Sequence, residues 1–303
     1  MNELVSVVIP THNRADLLPR AIDSVLNQTY SNFEIIVVSD GSTDNTEEVV
    51  KSYSDKDSRI RFIGYSPARG GNIARNTGIE AAKGEYVAFL DDDDEWMPAK
   101  LEKQINVMES NLDIGLVYTG VNIIYVNEGL RYSFIGESKG DLSKEILLDN
   151  HIGTTSTVMV RKMILEKTGA FDEKLKALQD FELWIRVCQK CLIGLVPEEL
   201  INYYNYTGTN QVSSSTQKYI DAFSYINTKH KFLLNELTTN QMSIKKMNEC
   251  MLLANKAMRN GDSKLTRKYC VQALKYGLCK SALVYWVLSF TSFKTVLKIR
   301  SMK

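Results

Sequence analysis

Four aspartates in a row, Asp91, Asp92, Asp93 and Asp94, follow the apolar run Tyr86 to Leu90. Neighbouring carboxylates repel one another and are driven toward protonation unless a cation sits among them. In an extended segment alternate side chains share a face, so Asp91 and Asp93 are expected to converge while Asp92 points elsewhere. Oxygen ligands of this hardness suit Mg²⁺ or Mn²⁺, with diphosphate oxygens and water filling the remaining positions. A calcium loop is excluded, because Trp96 stands at the sixth position, where such a loop requires glycine. Polar residues also follow two other apolar runs: Pro10-Thr11-His12-Asn13-Arg14 comes after Val5 to Ile9, and Ser39-Asp40-Gly41-Ser42 after Glu34 to Val38. Asp40 therefore stands where doubly wound nucleotide sites put a ribose or base contact. Arg69 and Arg75 lie at or near the start of a helical stretch whose N-terminal dipole favours anions, which suits contact with phosphate or sugar.

Residues this far apart act together only if the fold gathers the loops that carry them. Val- and Ile-rich runs alternate with helical periods through the first hundred residues: Val5 to Ile9, a helix over about Arg14 to Asn27, Glu34 to Val38, a helix over Thr46 to Tyr53, Arg59 to Ile63, a helix over Gly71 to Lys83, then Tyr86 to Leu90 and a helix after Pro98. Strand and helix in this order, with nearly continuous apolar strands, predict an α/β fold with a mostly parallel sheet covered on both faces. Ligands of such sheets bind outside the carboxyl ends of the strands, which is where the polar residues lie. From Gly115 longer strand-like stretches (Leu116 to Val126, Thr157 to Arg161, Glu199 to Tyr206) and a helix at Asp180 to Lys190 predict a mixed second half of the same sheet. Beyond the polar stretch Thr207 to Thr216 the periodicity is helical, over about 216–236, 243–259, 263–276 and 281–299. A boundary near residue 212 is expected, dividing a nucleotide-sized α/β unit (1–212) from an all-helical extension (213–303).

The 303 residues are 44% hydrophobic and 24% charged, proportions that fill a core and exclude disorder or collagen-like repeats. No GxGxxG follows the first strand and no GxxxxGK[ST] occurs, so phosphates must be neutralised by something other than those glycine-rich cradles. Five cysteines clustered between Cys188 and Cys279 do not form an extracellular disulfide framework, and a reducing cytoplasm is expected. Cys188 and Cys191 make a CxxC without a second pair or a nearby His, which predicts packed thiols rather than a zinc site. The N-terminus lacks the basic and then apolar stretch of an export signal. The longest uncharged apolar piece, Ser281 to Phe293, is 13 residues, short of the roughly 18 to 20 a membrane span needs.

The motifs taken together resemble the family 2 glycosyltransferases of GT-A fold. The resemblance rests on Val5-Ser-Val-Val-Ile-Pro-Thr-His-Asn-Arg14, Asn32-Phe-Glu-Ile-Ile-Val-Val-Ser-Asp-Gly-Ser-Thr-Asp44, Arg69-Gly-Gly-Asn-Ile-Ala-Arg-Asn-Thr-Gly78 and Phe89-Leu-Asp-Asp-Asp-Asp-Glu-Trp96, continued by Gly169-Ala-Phe-Asp172 and Gln179-Asp-Phe-Glu-Leu-Trp184. It covers about residues 4 to 206 and implies a GT-A Rossmann-like fold and an inverting transferase that uses a nucleotide-diphospho-sugar, commonly a UDP-sugar, with a divalent metal, Mn²⁺ or Mg²⁺. It also implies that Pro10, Thr11, His12 and Arg14 border base and diphosphate, and that Asp40 accepts a hydrogen bond from the base. Asp93 is implied as the metal ligand and Asp91 or Asp92 as the ribose contact. Inverting transfer needs a general base for the acceptor hydroxyl, and Asp180 matches the aspartate of the family's Glu-Asp motif, although Gln179 stands where that glutamate is often found. The competing structural role for Asp180 is the N-cap of its helix. His151, Thr154 and Thr155 fall where the family contacts its acceptor, and Trp184 is expected to pack near the base.

Charge is distributed unevenly. Nine of the 37 Lys and Arg, and none of the 36 Asp and Glu, follow Asp262, so the net charge of +1 conceals an acidic body and a basic tail. Leu278 to Lys298 combines an apolar centre with flanking lysines, which suits either a helix lying on an anionic membrane surface or a helix closing a bundle. The expected partners are a nucleotide-sugar, a glycan or lipid-linked acceptor and the inner face of the cell membrane, with no nucleic acid. Two other readings compete: a sugar nucleotidyltransferase, whose usual glycine-rich basic first loop is missing here, and a nucleotide-sugar-binding protein without turnover.

Overall fold

The computed structural model describes residues 3–206, 215–291 and 293–300. Its first half alternates as the sequence predicts: β1 (Val5–Thr11), α1 (Leu18–Leu26), β2 (Phe33–Asp40), α2 (Thr46–Ser54), β3 (Ile60–Tyr65), α3 (Gly71–Ala81) and β4 (Tyr86–Phe89). These four strands are parallel, in the order β3-β2-β1-β4. The strands read as unbroken apolar runs because both faces are covered. Val8, Ile36, Val38, Val87 and Phe89 point into one apolar layer, while Val7, Ile9, Ile35, Val37 and Ala88 point into the other. Gly78 lets α3 lie close on β1, since a Cβ there would come within 2.2 Å of a Val8 methyl.

The chain continues through β5 (Glu95–Trp96), α4 (Lys100–Ser110), β6 (Ile114–Tyr125), β7 (Leu130–Phe134), α5 (Glu145–Leu148), β8 (Val158–Arg161), α6 (Lys162–Thr168), α7 (Gln179–Cys188) and β9 (Leu192–Asn205). Strand β8 joins β4 antiparallel and leads to β6, β9 and β5, so the described residues form one nine-stranded sheet, parallel in its first half and mixed in its second. The expected mixed second half is therefore present. The short elements β5, β7, α5 and α6 were not expected, as each is too brief to establish a period of its own.

The helical end consists of α8 (Thr216–Lys229), α9 (Lys231–Leu234), α10 (Thr239–Arg259), α11 (Ser263–Tyr276), α12 (Lys280–Leu288) and α13 (Phe293–Arg300). The expected last helix is two, separated around Ser289 to Thr291, and the boundary expected near residue 212 falls outside the described residues. Buried Phe223, Ile226, Leu253, Ala254, Cys270 and Ala282 belong to the same apolar layer as Trp184 and Phe171. The helices therefore pack against the sheet unit. A charge cluster reinforces the contact: Glu182 of α7, fully buried, meets Arg186 at 2.8 Å, Lys229 at 2.8 Å and His230 at 2.9 Å.

Candidate active site

The carboxyl ends of β1, β2 and β4 open on one cavity of about 800 Å³. Asp40 closes its floor. At 6% exposure, its two oxygens accept the backbone N–H groups of Arg69 at 2.6 Å and Gly70 at 2.8 Å. Each oxygen keeps a lone pair for a ligand. Gly41 makes this approach possible, for it has φ +66° and a Cβ there would meet the Ala68 nitrogen at 2.4 Å. His12 donates from Nδ1 to the Asp40 carbonyl at 2.5 Å, tying the first loop to the second. That loop explains why α1 begins at Leu18 instead of the expected Arg14: Asn13 takes φ 51°, Ala15 N–H donates to Asp44 at 3.0 Å, and Arg14 turns away to the acidic run.

The acidic run turns instead of extending, with the Asp94 N–H bonded to the Asp91 carbonyl at 3.0 Å. The segment is thus a turn and not the extended stretch expected, yet Asp91 and Asp93 both line the cavity, and Asp93, raised by burial against the opposing Arg14 charge, also senses Asp91. Arg14 Nη1 donates to Asp92 at 2.8 Å and Asp93 at 2.6 Å, while Arg75 donates to Asp91 at 2.6 Å. Arg20 fixes the turn through the Asp93 carbonyl at 2.5 Å, and the Ser156 hydroxyl donates to Asp94 at 2.6 Å. Two arginines thus supply most of the compensation for which the four carboxylates call. It is incomplete: burial, opposed by Arg14 and assisted by Asp93, pushes Asp92 up to about 6. Burial and the neighbouring carboxylates raise Asp94 as well.

The residues fit a hard divalent cation held by a single carboxylate. Asp93 borders the cavity with its side chain 15% exposed, and Mg²⁺ and Mn²⁺ commonly take one or two carboxylates, with ligand phosphates and water as the rest of the shell. Among the described residues no group of three His, Cys, Asp or Glu side chains forms an all-protein cage.

The opposite wall carries Asp180. It lies in the first turn of α7 and accepts the Phe181 N–H at 2.8 Å, so it is not the N-cap; Leu178 occupies that position in the left-handed conformation (φ 56°). Leu178 and Asn13 are the described non-glycine residues with positive φ, and both line the cavity, which is where strained backbone concentrates when function requires it. Burial raises the Asp180 carboxyl above its ordinary value, with Arg75 opposing. Thr11 Oγ1, Arg75 Nε, Thr154 Oγ1 and Gln179 Oε1 are buried without a hydrogen-bond partner, and all four residues line the same cavity. Buried polar atoms in native structures are normally satisfied, so four on one cavity mark a place for a polar ligand.

The sequence profile of glycosyl transferase family 2 matches residues 6–169. The chain belongs to that family. A glycosyltransferase of Rickettsia prowazekii is 37% identical over 233 residues, covering 73% of this chain and 70% of that one. A Bacillus subtilis protein named as a putative teichuronic acid biosynthesis glycosyltransferase is 32% identical over 216 residues, covering 71% and 83%. Among solved structures, Staphylococcus aureus TarS 1–349 in complex with UDP-GlcNAc superposes with a TM-score of 0.60 at 17% identity, covering 94% of this chain and 79% of that one. A Pyrobaculum calidifontis mannosyltransferase in complex with GDP-Man and Mn²⁺ superposes with a TM-score of 0.59 at 15% identity, covering 100% and 88%. The protein is a glycosyltransferase of GT-A fold, and the nucleotidyltransferase reading falls.

In this glycosyltransferase Pro10, Thr11, His12, Arg14 and Asp40 line the cavity together with Arg75, Asp91, Asp92 and Asp93. Thr154, Thr155 and Asp180 line it from the other side. Arg69 and His151 do not: Arg69 contributes its backbone to Asp40 while its guanidinium lies 5.6 Å from the Tyr65 ring centroid. Trp184 packs, fully buried, with its indole N–H on the Gly153 carbonyl at 3.2 Å. Cys188 and Cys191 are free thiols raised by burial. Sequence reasoning missed the share of the helical end in the site. Tyr219 and Phe223 of α8, and Lys245, Asn248, Glu249 and Lys256 of α10, complete the cavity. They form no local motif and become neighbours of Asp180 only when the helices pack.

Proposed function

We propose that this glycosyltransferase moves a hexosyl or N-acetylhexosaminyl group, with inversion, from a UDP-sugar to a hydroxyl of a glycan or lipid-linked acceptor in surface polysaccharide biosynthesis. The observation that carries the reading is one cavity with arginine-braced aspartates at the strand ends on one side and Asp180 on the other. Asp40 and the Pro10–Arg14 loop receive the base, Asp91 or Asp92 the ribose, and Arg14 and Arg75 face the diphosphate. Arg69 acts here through its backbone, which holds Asp40 in place. Asp180 takes the proton from the acceptor hydroxyl as that oxygen attacks the anomeric carbon. The bond from that carbon to the diphosphate oxygen breaks, and UDP departs from the opposite face. Asp93 would hold Mn²⁺ or Mg²⁺, which when bound offsets the charge developing on the leaving diphosphate. Raising Asp180 by burial moves it toward the range in which a carboxylate is an effective base. Thr154 and Thr155 lie on the acceptor side; His151, outside the cavity, has no part in this assignment. In this division residues 1–212 bind the donor and residues 213–303 help close the acceptor side.

The test is UDP release from UDP-sugars in the presence of Mn²⁺, with GDP-sugars in parallel. Metal-stimulated release of the nucleoside diphosphate is expected, and Asp93→Ala is expected to abolish the stimulation. Binding of UDP-sugars with no turnover in the presence of any glycan acceptor would favour a non-catalytic role.

A second observation bears on where the acceptor is met. Leu283, Val284, Val287 and Phe290 on and just after α12 are between 49% and 66% exposed, and every charged side chain after Asp262 is basic. Among the described residues no helix is long and apolar enough to cross a membrane. We propose that α12 lies on the cytoplasmic leaflet, its apolar side chains at headgroup depth and Lys280, with the basic residues that flank the helix, against anionic lipid. Full-length protein is expected to pellet with phosphatidylglycerol vesicles, and a V287D/F290D variant to remain in solution. Equal pelleting of both would remove the membrane assignment.

A further inference from the structure

Among the described residues, the helical wall presents one cavity-lining cation, Lys256, that no ion pair engages. Lys245 is ion-paired to Glu249 and donates to Asn227 at 2.7 Å. Lys229 is shared by Asp172 at 2.6 Å and Glu182 at 2.8 Å. Arg14 and Arg75 are held by the acidic run. Lys256 lines the same cavity, yet none of the ion pairs among the described residues engages it. The segment 207–214 has no acidic residue to offer it. Its Nζ stands 4.5 Å from the centroid of the Tyr219 ring, a contact that fixes an ammonium in position without neutralising it.

We propose that Lys256 and Tyr219 form a subsite for a carboxylate or phosphate group of the acceptor, on the Asp180 side of the cavity. The inference rests on the donor and base assignment above and adds to it the chemical class of the acceptor: an acidic saccharide or a polyol phosphate, not a neutral sugar. Three considerations support the placement. A half-desolvated ammonium without a carboxylate costs stability, and an anionic ligand recovers that cost on binding. Burial, reinforced by the Arg259 charge and opposed by Asp180, lowers Lys256 to about 8, so the carboxylate that senses this lysine is the proposed base and not the acidic run. On the donor assignment above, the diphosphate is met by Arg14 and Arg75, which the acidic run holds at the strand ends, and Lys256 is left to a different anion. An acceptor anchored by Lys256 would present its hydroxyl toward Asp180, which gives the lysine a positioning role.

The experiment titrates glucuronate and glycerol 3-phosphate, with glucose and glycerol as neutral controls, into full-length enzyme saturated with UDP and Mn²⁺, read by ligand-observed NMR. The anionic probes are expected to bind more tightly than the neutral ones, and Lys256→Met to weaken them about tenfold, the size of one lost charge-assisted hydrogen bond. Lys256→Arg should retain binding to within about twofold, with UDP affinity unchanged in both variants and the unfolding midpoint lowered in neither. Equal binding of the anionic probes by wild type and Lys256→Met, or no preference for them in the wild type, overturns the subsite. Weakened UDP binding in Lys256→Met assigns the lysine to the donor diphosphate and overturns it too. A loss confined to UDP-glucuronate relative to UDP-glucose moves the anion to the transferred sugar and likewise overturns the acceptor subsite. Should the wild type bind no uridine nucleotide while Lys256-dependent glucuronate binding persists, the donor reading fails and the subsite stands.

Discussion

The two walls of the cavity treat charge in opposite ways. At the strand ends every aspartate of the acidic run has a donor built for it: Arg75 on Asp91, Arg14 on Asp92 and Asp93, Ser156 on Asp94. On the helical wall Asp180 and Lys256 face the same space without an ion pair, each shifted by burial toward its neutral form. The difference separates holding from reacting. On the proposed reading, a rigid, compensated frame suits a diphosphate and a metal ion, whereas proton transfer needs a carboxylate whose own partner has not already neutralised it. The strand-end wall is braced by its own arginines, while the helical wall is joined to α7 by an ion cluster, where Glu182 meets Lys229 and His230 at the end of α8.

Breaking the reacting wall should have the largest effect. Asp180→Asn is expected to lower kcat by about 10²- to 10⁴-fold while leaving UDP-sugar affinity within about twofold, measured by initial rates and calorimetric titration. A normal kcat would make the two walls equivalent and remove the base assignment. Next comes the ion cluster. Burial alone would raise Glu182, but hydrogen bonds from His230, Arg186 and Lys229 and the Arg186 charge lower it to about 2 from an ordinary 4.5. Its folded-state pKa is depressed, so its stabilisation is fully present above about pH 4.5 and is lost as pH falls toward 2. The contribution is on the order of 3 kcal/mol. Urea unfolding of wild type and Glu182→Gln should therefore differ at pH 7 and converge only as the pH falls toward 2.

Loss of a built-in cation should cost less, because Arg14 is a third exposed. Arg14→Ala is expected to destabilise by about 2 kcal/mol, and Asp92→Asn in the same chain to recover part of it, both read from unfolding midpoints. Failure of the second change to recover any stability would indicate that the arginine acts by packing and not by compensation. The smallest effect is expected at Trp96→Phe, which removes the indole N–H from the Ser156 carbonyl at 3.0 Å. About 1 kcal/mol of stability should be lost, with metal stimulation of turnover retained because the Ser156 hydroxyl keeps its place on Asp94.

The strand-end wall was legible because each of its parts is local. An apolar run followed at once by Asp40, by Thr11-His12 or by Asp91 to Asp94 identifies a strand and its ligand-facing end together. Partners were not legible. Arg14 and Asp92 are 78 residues apart, and nothing near either indicates that an arginine would stand where a divalent ion was expected to carry the whole compensation. The turn from Asp91 to Asp94 was not legible either, because a turn abolishes the two-residue period from which an extended segment is read. Arg69 and His151 have suitable side chains in suitable segments, yet lie outside the cavity, since a loop's sequence does not reveal which way it faces.

By itself the sequence determined the family, the order of strands and helices in the first half of the sheet unit, and the concentration of polar chemistry at the carboxyl ends of β1, β2 and β4. Those follow from hydrophobic periodicity and from residues adjacent in the chain, and adjacency survives any packing. Tertiary structure alone decided that α8 and α10 complete the cavity, that Leu178 takes the left-handed conformation ahead of Asp180, and that Lys256 is left without an ion pair among the described residues. Such properties depend on which surfaces meet, not on which residues adjoin in the chain. Burial and Coulomb interactions act through space, and their sign at a given atom is fixed only once every neighbouring charge has its place.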